Sequence, residues 1–346
     1  MPYIPQEILD IIIGYSTADG RYFSCAYISH TFHQIVLPYK FKSLTFWNRR
    51  RNIADVNSIP KFCEAINAGD AHALFLAPLV QELNLRLWDG KDGNHLIQEP
   101  FEKIINSVLS FRNLTKLSME YCVVSLAIME QLGKFVQLQS LHIFRCKGEP
   151  DVNQVSYGAL SNLQSLHTLE CEGNWNYVKR HLACIPMKNL RILKSSDLEV
   201  IVAFLTTDPS VQLKELRFTH HYYDEYFLLW NYLARVTSLT HLSLPYLKLP
   251  EGPPSLLFTF PELRYLHIHV ALAPRFADQP MKVMKIYTDS DSTKLRQAMK
   301  EVHQHWQGIV FPLVEYLQMD RWRIIELISI PIEFWRVYLS NVKEVL

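Results

Sequence analysis

Glycine is scarce in this chain of 346 residues, at 11, which removes readings that depend on Gly-rich loops around a phosphate. No P-loop, G-x-S-x-G or H-E-x-x-H motif occurs. Cysteine is limited to positions 25, 63, 122, 146, 171 and 184, with no Cys-x-x-Cys, so neither a zinc site nor a disulfide framework is expected. Formal charge nearly cancels, 35 Lys and Arg against 34 Asp and Glu for a net of +1, and no global field recruits nucleic acid or an anionic membrane. Long apolar runs are missing too. The longest, Ala73 to Val80, contains a proline, where a spanning helix needs about twenty residues. The opening Met-Pro-Tyr-Ile-Pro-Gln-Glu lacks a basic segment ahead of an apolar stretch, so no secretory leader is expected. A soluble protein of the cytoplasm or nucleus is the expectation, its free thiols buried in a reducing compartment.

What the chain does have is a recurring phrase. It reads Leu114-Thr-Lys-Leu117-Ser-Met119, Leu138-Gln-Ser-Leu141-His-Ile143, Leu166-His-Thr-Leu169-Glu-Cys171, Leu213-Lys-Glu-Leu216-Arg-Phe218, Leu239-Thr-His-Leu242-Ser-Leu244 and Leu263-Arg-Tyr-Leu266-His-Ile268, with looser copies from Val80, Leu190, Met281 and Val314. Between 114 and 263 the starts are 23 to 28 residues apart. Alternation inside the phrase predicts a short strand. Segments between phrases have helical spacing: Glu99 to Phe111, Val123 to Phe135, Asp197 to Leu205 with Asp197 as N-cap, and Asp224 to Val236. Lys294 to Gln307 is expected as a longer, exposed helix.

A strand and a helix per unit, each unable to bury its apolar face alone, predicts the α/β class in the form of an irregular leucine-rich-repeat solenoid, with a parallel sheet on the concave side and helices on the convex side. A doubly wound α/β domain would carry longer units, Val/Ile-rich strands and a Gly-rich first turn. The repeat also absorbs three thiols. Cys122 and Cys146 stand where such repeats use Asn or Cys, and Cys171 fills the third apolar position.

Residues between the leucines project from the sheet, and such surfaces hold partners. Those expected to contact a protein substrate are Phe144, Glu170, Glu172, Arg217, His241, Tyr265, His267, His269, Lys285, Tyr287, Tyr316 and Asp320. Tyrosine suits this role because its ring buries area while its hydroxyl still bonds. His267 and His269 are read as solvent-facing.

The first 46 residues differ. Ile4 to Tyr15 should be a helix with Pro5 in its first turn, and Ile8, Leu9, Ile11, Ile12 and Ile13 surround most of its axis. Such a helix needs burial on more than one face. Ile4-Pro5-x-Glu7-Ile8-Leu9, Cys25-x-x-Ile28-Ser29-x-x-Phe32 and Phe41-Lys-Ser-Leu44-x-Phe46 together resemble an F-box of the fungal type, with Ile4, Ser29 and Phe32 replacing that pattern's Leu, Cys and Trp. The resemblance implies a three-helix hook over residues 1–46, the solenoid over 47–330 and a C-terminal cap or tail over 331–346. It further implies that Ile4, Pro5, Ile8, Leu9 and Ile12, supported by Cys25, Ile28 and Phe32, bind the Skp-family adaptor of a cullin-RING ubiquitin ligase. The protein would then be the non-catalytic substrate receptor of that complex. A leucine-rich-repeat scaffold outside ubiquitin transfer is the alternative.

The remaining signals are weak. His267-x-His269 and His303-x-His305 lack a third ligand. Trp47-Asn48-Arg49-Arg50-Arg51-Asn52 is too short for a nucleic-acid face. No convergent catalytic group stands out. Neither an enzyme activity nor a cofactor or metal is expected, and the partners anticipated are proteins, not nucleic acid or membrane.

Overall fold

The computed structural model describes residues 37–47, 60–88, 98–148, 158–173, 184–207, 212–219, 235–244, 260–269, 273–276, 278–287, 295–307, 313–319 and 335–345, with Leu229, Leu233 and Phe311. The residues expected to bind an adaptor, Ile4, Pro5, Ile8, Leu9, Ile12, Cys25, Ile28 and Phe32, like Asp320, lie outside these. Two compact units are present, residues 1–141 with 145–163 and residues 142–144 with 164–346.

In the first unit, residues 37–42 are helical and lead directly into β1 (Ser43–Trp47), which pairs in parallel with β2 (Glu82–Arg86). That strand pairs in parallel with β3 (Lys116–Glu120). A second, two-stranded ladder joins β4 (Val123–Val124) to β6 (Lys147–Gly148), while β5 (Ser140–Phe144) runs between them in sequence. Helices α1 (Lys61–Asn67), α2 (Ala71–Leu76), α3 (Gln98–Val108) and α4 (Leu126–Leu132) fill the gaps between strands.

Each strand alternates as its sequence dictates. Phe46, Leu85 and Met119 share one register row and are buried, as are Leu83 and Leu117 one row over. Phe101, Ile104, Ile105 and Val108 of α3 are buried too, with at most 1% of any side chain exposed, because their spacing puts all four on one stripe.

The second unit continues the pattern with β7 (Thr168–Glu172), β8 (Ile192–Ser195), β9 (Glu215–Phe218), β10 (His241–Leu244), β11 (Tyr265–His269), β12 (Val283–Tyr287), β13 (Tyr316–Met319) and β14 (Glu344–Val345). Every strand pairs in parallel with the next. Leu169, Leu193, Leu216, Leu242, Leu266, Met284 and Leu317 form one continuous row, all fully buried. Helix α5 (Leu198–Thr207) starts under the Asp197 carboxylate, which accepts from Glu199 N at 2.9 Å and so satisfies one of the orphan donors of the first turn. Among the described residues no helix is long and apolar enough to cross a membrane.

Two backbone devices repeat with the phrase. The carbonyl that precedes each strand accepts from two successive N–H groups of the following repeat: His167 O from Arg191 and Ile192 (2.8 and 3.0 Å), Arg191 O from Lys214 and Glu215 (2.8 and 2.9 Å), and Thr240 O from Arg264 and Tyr265 (2.9 and 3.1 Å). In the other, a buried apolar residue three positions before the first leucine accepts from that leucine's N–H, as in Phe111–Leu114, Phe135–Leu138 and Phe260–Leu263 at 2.8 to 3.1 Å. The repeat is therefore longer on its N-terminal side than the six-residue phrase.

Several expectations are corrected. Among the described residues the sheet begins at Ser43, so the alternation Leu44-x-Phe46 belongs to its first strand and not only to the expected N-terminal hook. Residues 331–346 contain a strand, β14, which extends the sheet beyond residue 330. Val123 and Val124 form a strand rather than the start of a helix, because Ser125 takes the N-cap and accepts from Ile128 N at 3.3 Å. Helix α6 (Leu295–Trp306) is not merely exposed: Val302 and Trp306 are fully buried, and His303 Nδ1 and the Tyr338 hydroxyl are hydrogen-bonded at 2.7 Å.

Candidate functional site

The side chains between the buried leucines form the open face of each sheet, in rows set by strand register. In the second unit one row reads Glu170, Lys194, Arg217, Ser243, His267, Lys285, Gln318, and its neighbour reads Thr168, Ile192, Glu215, His241, Tyr265, Val283, Tyr316. Strands about 4.8 Å apart bring these side chains within reach of one another.

The first three strands carry a chain of alternating charge. Lys194 Nζ donates to Glu170 at 2.5 Å and lies 3.7 Å from Glu215, whose carboxylate forms an ion pair with Arg217, 2.6 Å from its Nε. His142 Nε2 stands 4.0 Å from Glu170. These groups are half-buried, except that the Arg217 side chain is 43% exposed. Solvent screens such pairs, so each adds little stability on its own; what they fix is side-chain position. Glu172 is half-buried at the end of β7.

The next four strands carry rings. His241 stacks on Tyr265 with centroids 5.7 Å apart, and its Nδ1 is 2.9 Å from Thr240 Oγ1. The rings of His269 and Tyr287 lie 5.9 Å apart. Lys285 and Tyr316 are half-buried. His267 and His269 do not face solvent as expected: they are 8% and 7% exposed, and Tyr287 is 5% exposed. His267 Nδ1 is held at 3.0 Å from Ser243 Oγ. Bulky rings in adjacent rows of a tightly spaced sheet cover one another, which alternation alone does not reveal.

Of the expected contacts, Glu170, Arg217, His241, Tyr265, Lys285 and Tyr316 thus reach the open face, His267, His269 and Tyr287 lie beneath it, and Phe144 is half-buried at the end of β5. Sequence reasoning missed Lys194. Its signal was present in Leu190-Arg-Ile-Leu193-Lys-Ser195, where the same alternation puts Lys194 between inward residues.

The first unit's open face is also laced with charge. Glu82 pairs with Lys116 and Arg86 with Glu120, each at 3.0 Å, and Trp47 is 48% exposed at the end of β1. Behind this sheet the Asn/Cys position of the repeat makes a ladder of its own. Trp88 Nε1 donates to Phe46 O at 3.2 Å, Cys122 Sγ to Leu85 O at 3.5 Å and Cys146 Sγ to Met119 O at 3.3 Å. Three successive repeats bind the equivalent carbonyl of the repeat before.

That periodic bond decides the architecture. The described strands have a leucine-rich-repeat architecture. No family model matches the chain, and no curated protein matches it. Among solved structures it is similar to an internalin from Listeria monocytogenes (12% identity over 84% of this chain and 90% of that one, TM-score 0.38). It is likewise similar to the leucine-rich repeat-containing protein LegL7 from Legionella pneumophila (11% identity over 87% and 89%, TM-score 0.41). Leucine-rich-repeat folds present an extended sheet surface of the kind used for holding other macromolecules.

Proposed function

We propose that this protein is the substrate-recognition subunit of a Skp–cullin–F-box ubiquitin ligase. Its N-terminal hook engages the Skp-family adaptor and its repeats hold a protein substrate. The observation that carries the reading is the F-box-like pattern of residues 4–46, Ile4-Pro5-x-Glu7-Ile8-Leu9 above all, standing immediately ahead of a leucine-rich-repeat array. An interaction scaffold alone has no need of an N-terminal stretch as apolar as Ile8-Leu9-Asp10-Ile11-Ile12-Ile13; an adaptor-binding hook does. The protein performs no bond chemistry in this reading. It raises the effective concentration of a substrate lysine at the ubiquitin-charged enzyme.

The test is co-purification of the full chain with a Skp-type adaptor, for the wild type and for a variant carrying Ile8→Asp with Ile12→Asp. Capture by the wild type and loss in the double variant is the expected pair of results, since buried charge is not tolerated in such a helix. Failure of the wild type to capture the adaptor, or equal capture by the variant, overturns the reading. Adaptor capture without ubiquitin transfer to any bound protein in a reconstituted ligase assigns the chain to scaffolding instead.

A further inference from the structure

The residue just ahead of each strand in the second unit belongs to a row along one edge of the sheet, and that row is basic. Register places Arg191, Lys214, Arg264, Lys282 and Lys343 in it, ahead of β8, β9, β11, β12 and β14. Paired carbonyl bonds fix its backbone. Arg264 O accepts from Lys282 and Val283 N–H at 2.9 and 3.0 Å, and Lys282 O from Glu315 and Tyr316 N–H at 2.9 and 3.1 Å. Nothing in the repeat demands cations there, because the same place ahead of β2, β3 and β5 holds Gln81, Thr115 and Gln139. The net charge of +1 conceals the row, since acidic residues elsewhere in the sequence offset it.

Two carboxylates neutralise part of it. Lys214 Nζ donates to Glu262 at 2.6 Å and Lys343 Nζ to Glu315 at 2.7 Å. Arg191 donates from Nη1 to the carbonyls of Lys188 and Leu190, both at 3.2 Å, and pairs with no described acid. Arg264 and Lys282 are exposed and have no hydrogen bond or ion pair among the described residues. They are neighbours in register, about 4.8 Å apart, and like charges so placed repel. An anion laid across them removes that repulsion. From Arg191 to Lys343 the row crosses six strand spacings, about 29 Å, which is the length of about nine extended residues.

We propose that this edge binds an extended acidic segment of a protein, running across the strands with its carboxylates on the row and centred on Arg264 and Lys282. The inference rests on the reading that the repeats hold a protein, and it names the chemical class held. The row is one residue wide, so it fits a line of charge and not the plane of a membrane. A guanidinium fork matches a carboxylate through two parallel N–H donors, while phosphorylated segments are taken by clustered arginines. Arg191 and Arg264 are not neighbours in the row. Single-stranded nucleic acid is bound where basic groups accompany stacking rings. The row holds no Phe, Tyr or Trp, and Glu262 and Glu315 stand among its cations.

The test is fluorescence anisotropy of the full chain with four labelled probes: a peptide of alternating Glu and Ser, its Gln counterpart, that counterpart with one phosphoserine, and an oligothymidine of similar length. The Glu peptide is expected to bind about tenfold or more tighter than the Gln peptide, by a margin that shrinks as salt rises. Arg264→Gln with Lys282→Gln should erase most of that margin. Lys116→Gln with Lys134→Gln removes the same charge from the first unit and should leave the margin whole, which separates a site from bulk attraction. Arg264 and Lys282 are exposed and without a described partner, so their double variant is expected to melt with the wild type; should it not, Arg264→Gln and Lys282→Gln singly carry the comparison. Equal binding of the Glu and Gln peptides overturns the proposal. So does a margin that survives the changes at Arg264 and Lys282, or that falls equally with those at Lys116 and Lys134. Tighter binding of the phosphoserine peptide or the oligothymidine than of the Glu peptide overturns it too. The variant with Ile8→Asp and Ile12→Asp is expected to bind the Glu peptide normally, so loss of adaptor capture and loss of peptide binding are read separately.

Discussion

The Trp88 indole N–H is hydrogen-bonded to the Phe46 carbonyl at 3.2 Å, in the position that Cys122 and Cys146 occupy in the following repeats. A tryptophan can stand there because its ring also stacks at 5.8 Å on Phe101 of α3. Trp88→Phe keeps most of the apolar area but leaves a buried carbonyl without its donor, at a cost of about 1–3 kcal/mol. Cys122→Ala and Cys146→Ala each remove a weaker donor and a little volume, and about 1–2 kcal/mol is expected for each. Urea denaturation midpoints check the order, Trp88→Phe falling furthest.

Inward and outward neighbours on one strand should respond very differently. Leu169 is fully buried in the row of leucines, so Leu169→Ala should cost about 2–5 kcal/mol. Thr168, one residue earlier and half-buried on the open face, should tolerate Thr168→Ala within about 0.5 kcal/mol. Equal effects in denaturant titrations would contradict the alternation on which the whole sheet depends.

Burial raises the thiols. Cys63 rises from its ordinary 9.0 to about 11 and Cys171 to about 12, both chiefly because their surroundings cannot solvate a thiolate; Cys122 is held well above 9.0 for the same reason. Thiolate is the reactive form, so iodoacetamide at pH 8 should modify half-buried Cys184 while sparing Cys63, Cys122 and Cys171 until the chain unfolds. The sign for stability follows. Raised thiols favour the folded state fully below pH about 8.5, the unfolded value, and that contribution is lost as pH climbs toward about 11 and then 12, the folded values of Cys63 and Cys171. Denaturant midpoints should therefore decline from pH 8 to 10.5.

Gly69 joins α1 to α2 at φ +75°, and a Cβ placed there would meet nothing within 4 Å. Its N–H donates to Ile66 O at 3.0 Å and the next N–H, of Asp70, to Ala65 O at 2.9 Å, before the Asp70 carboxylate caps α2 through Ala73 N at 2.7 Å. Gly69→Ala should cost about 1–2 kcal/mol from backbone strain alone, measurable as a lowered melting temperature with binding unchanged. Leu87, Tyr121 and Arg145 already bear positive φ, 62°, 53° and 47°, at matching points of three repeats. Glycine at one of them should relieve strain.

Much of this fold is written in the spacing of leucines. Every tight phrase and all four looser ones, from Val80, Leu190, Met281 and Val314, mark a strand, because period-two alternation with one buried side has a single outcome in a sheet. Less legible were the strands at the two ends. Leu44-x-Phe46 lacks the opening leucine of the phrase, and Glu344–Val345 is two residues long. The face was legible as a direction and not as an environment. Nothing in Leu266-His267-Ile268-His269 says that both imidazoles will be covered, since that depends on which rings occupy the rows beside them. The Glu170–Lys194–Glu215 chain likewise arises from register between repeats of unequal length.

Lys42 ends a helix and Ser43 begins a strand with no residue between, and the Lys42 carbonyl accepts from Gln81 N at 2.9 Å. A tug on that helix acts along β1, parallel to its partner, so the bonds from Ser43 to Trp47 must shear together instead of peeling one by one. A load that enters at Lys42 is thus met by the whole β1–β2 ladder at once.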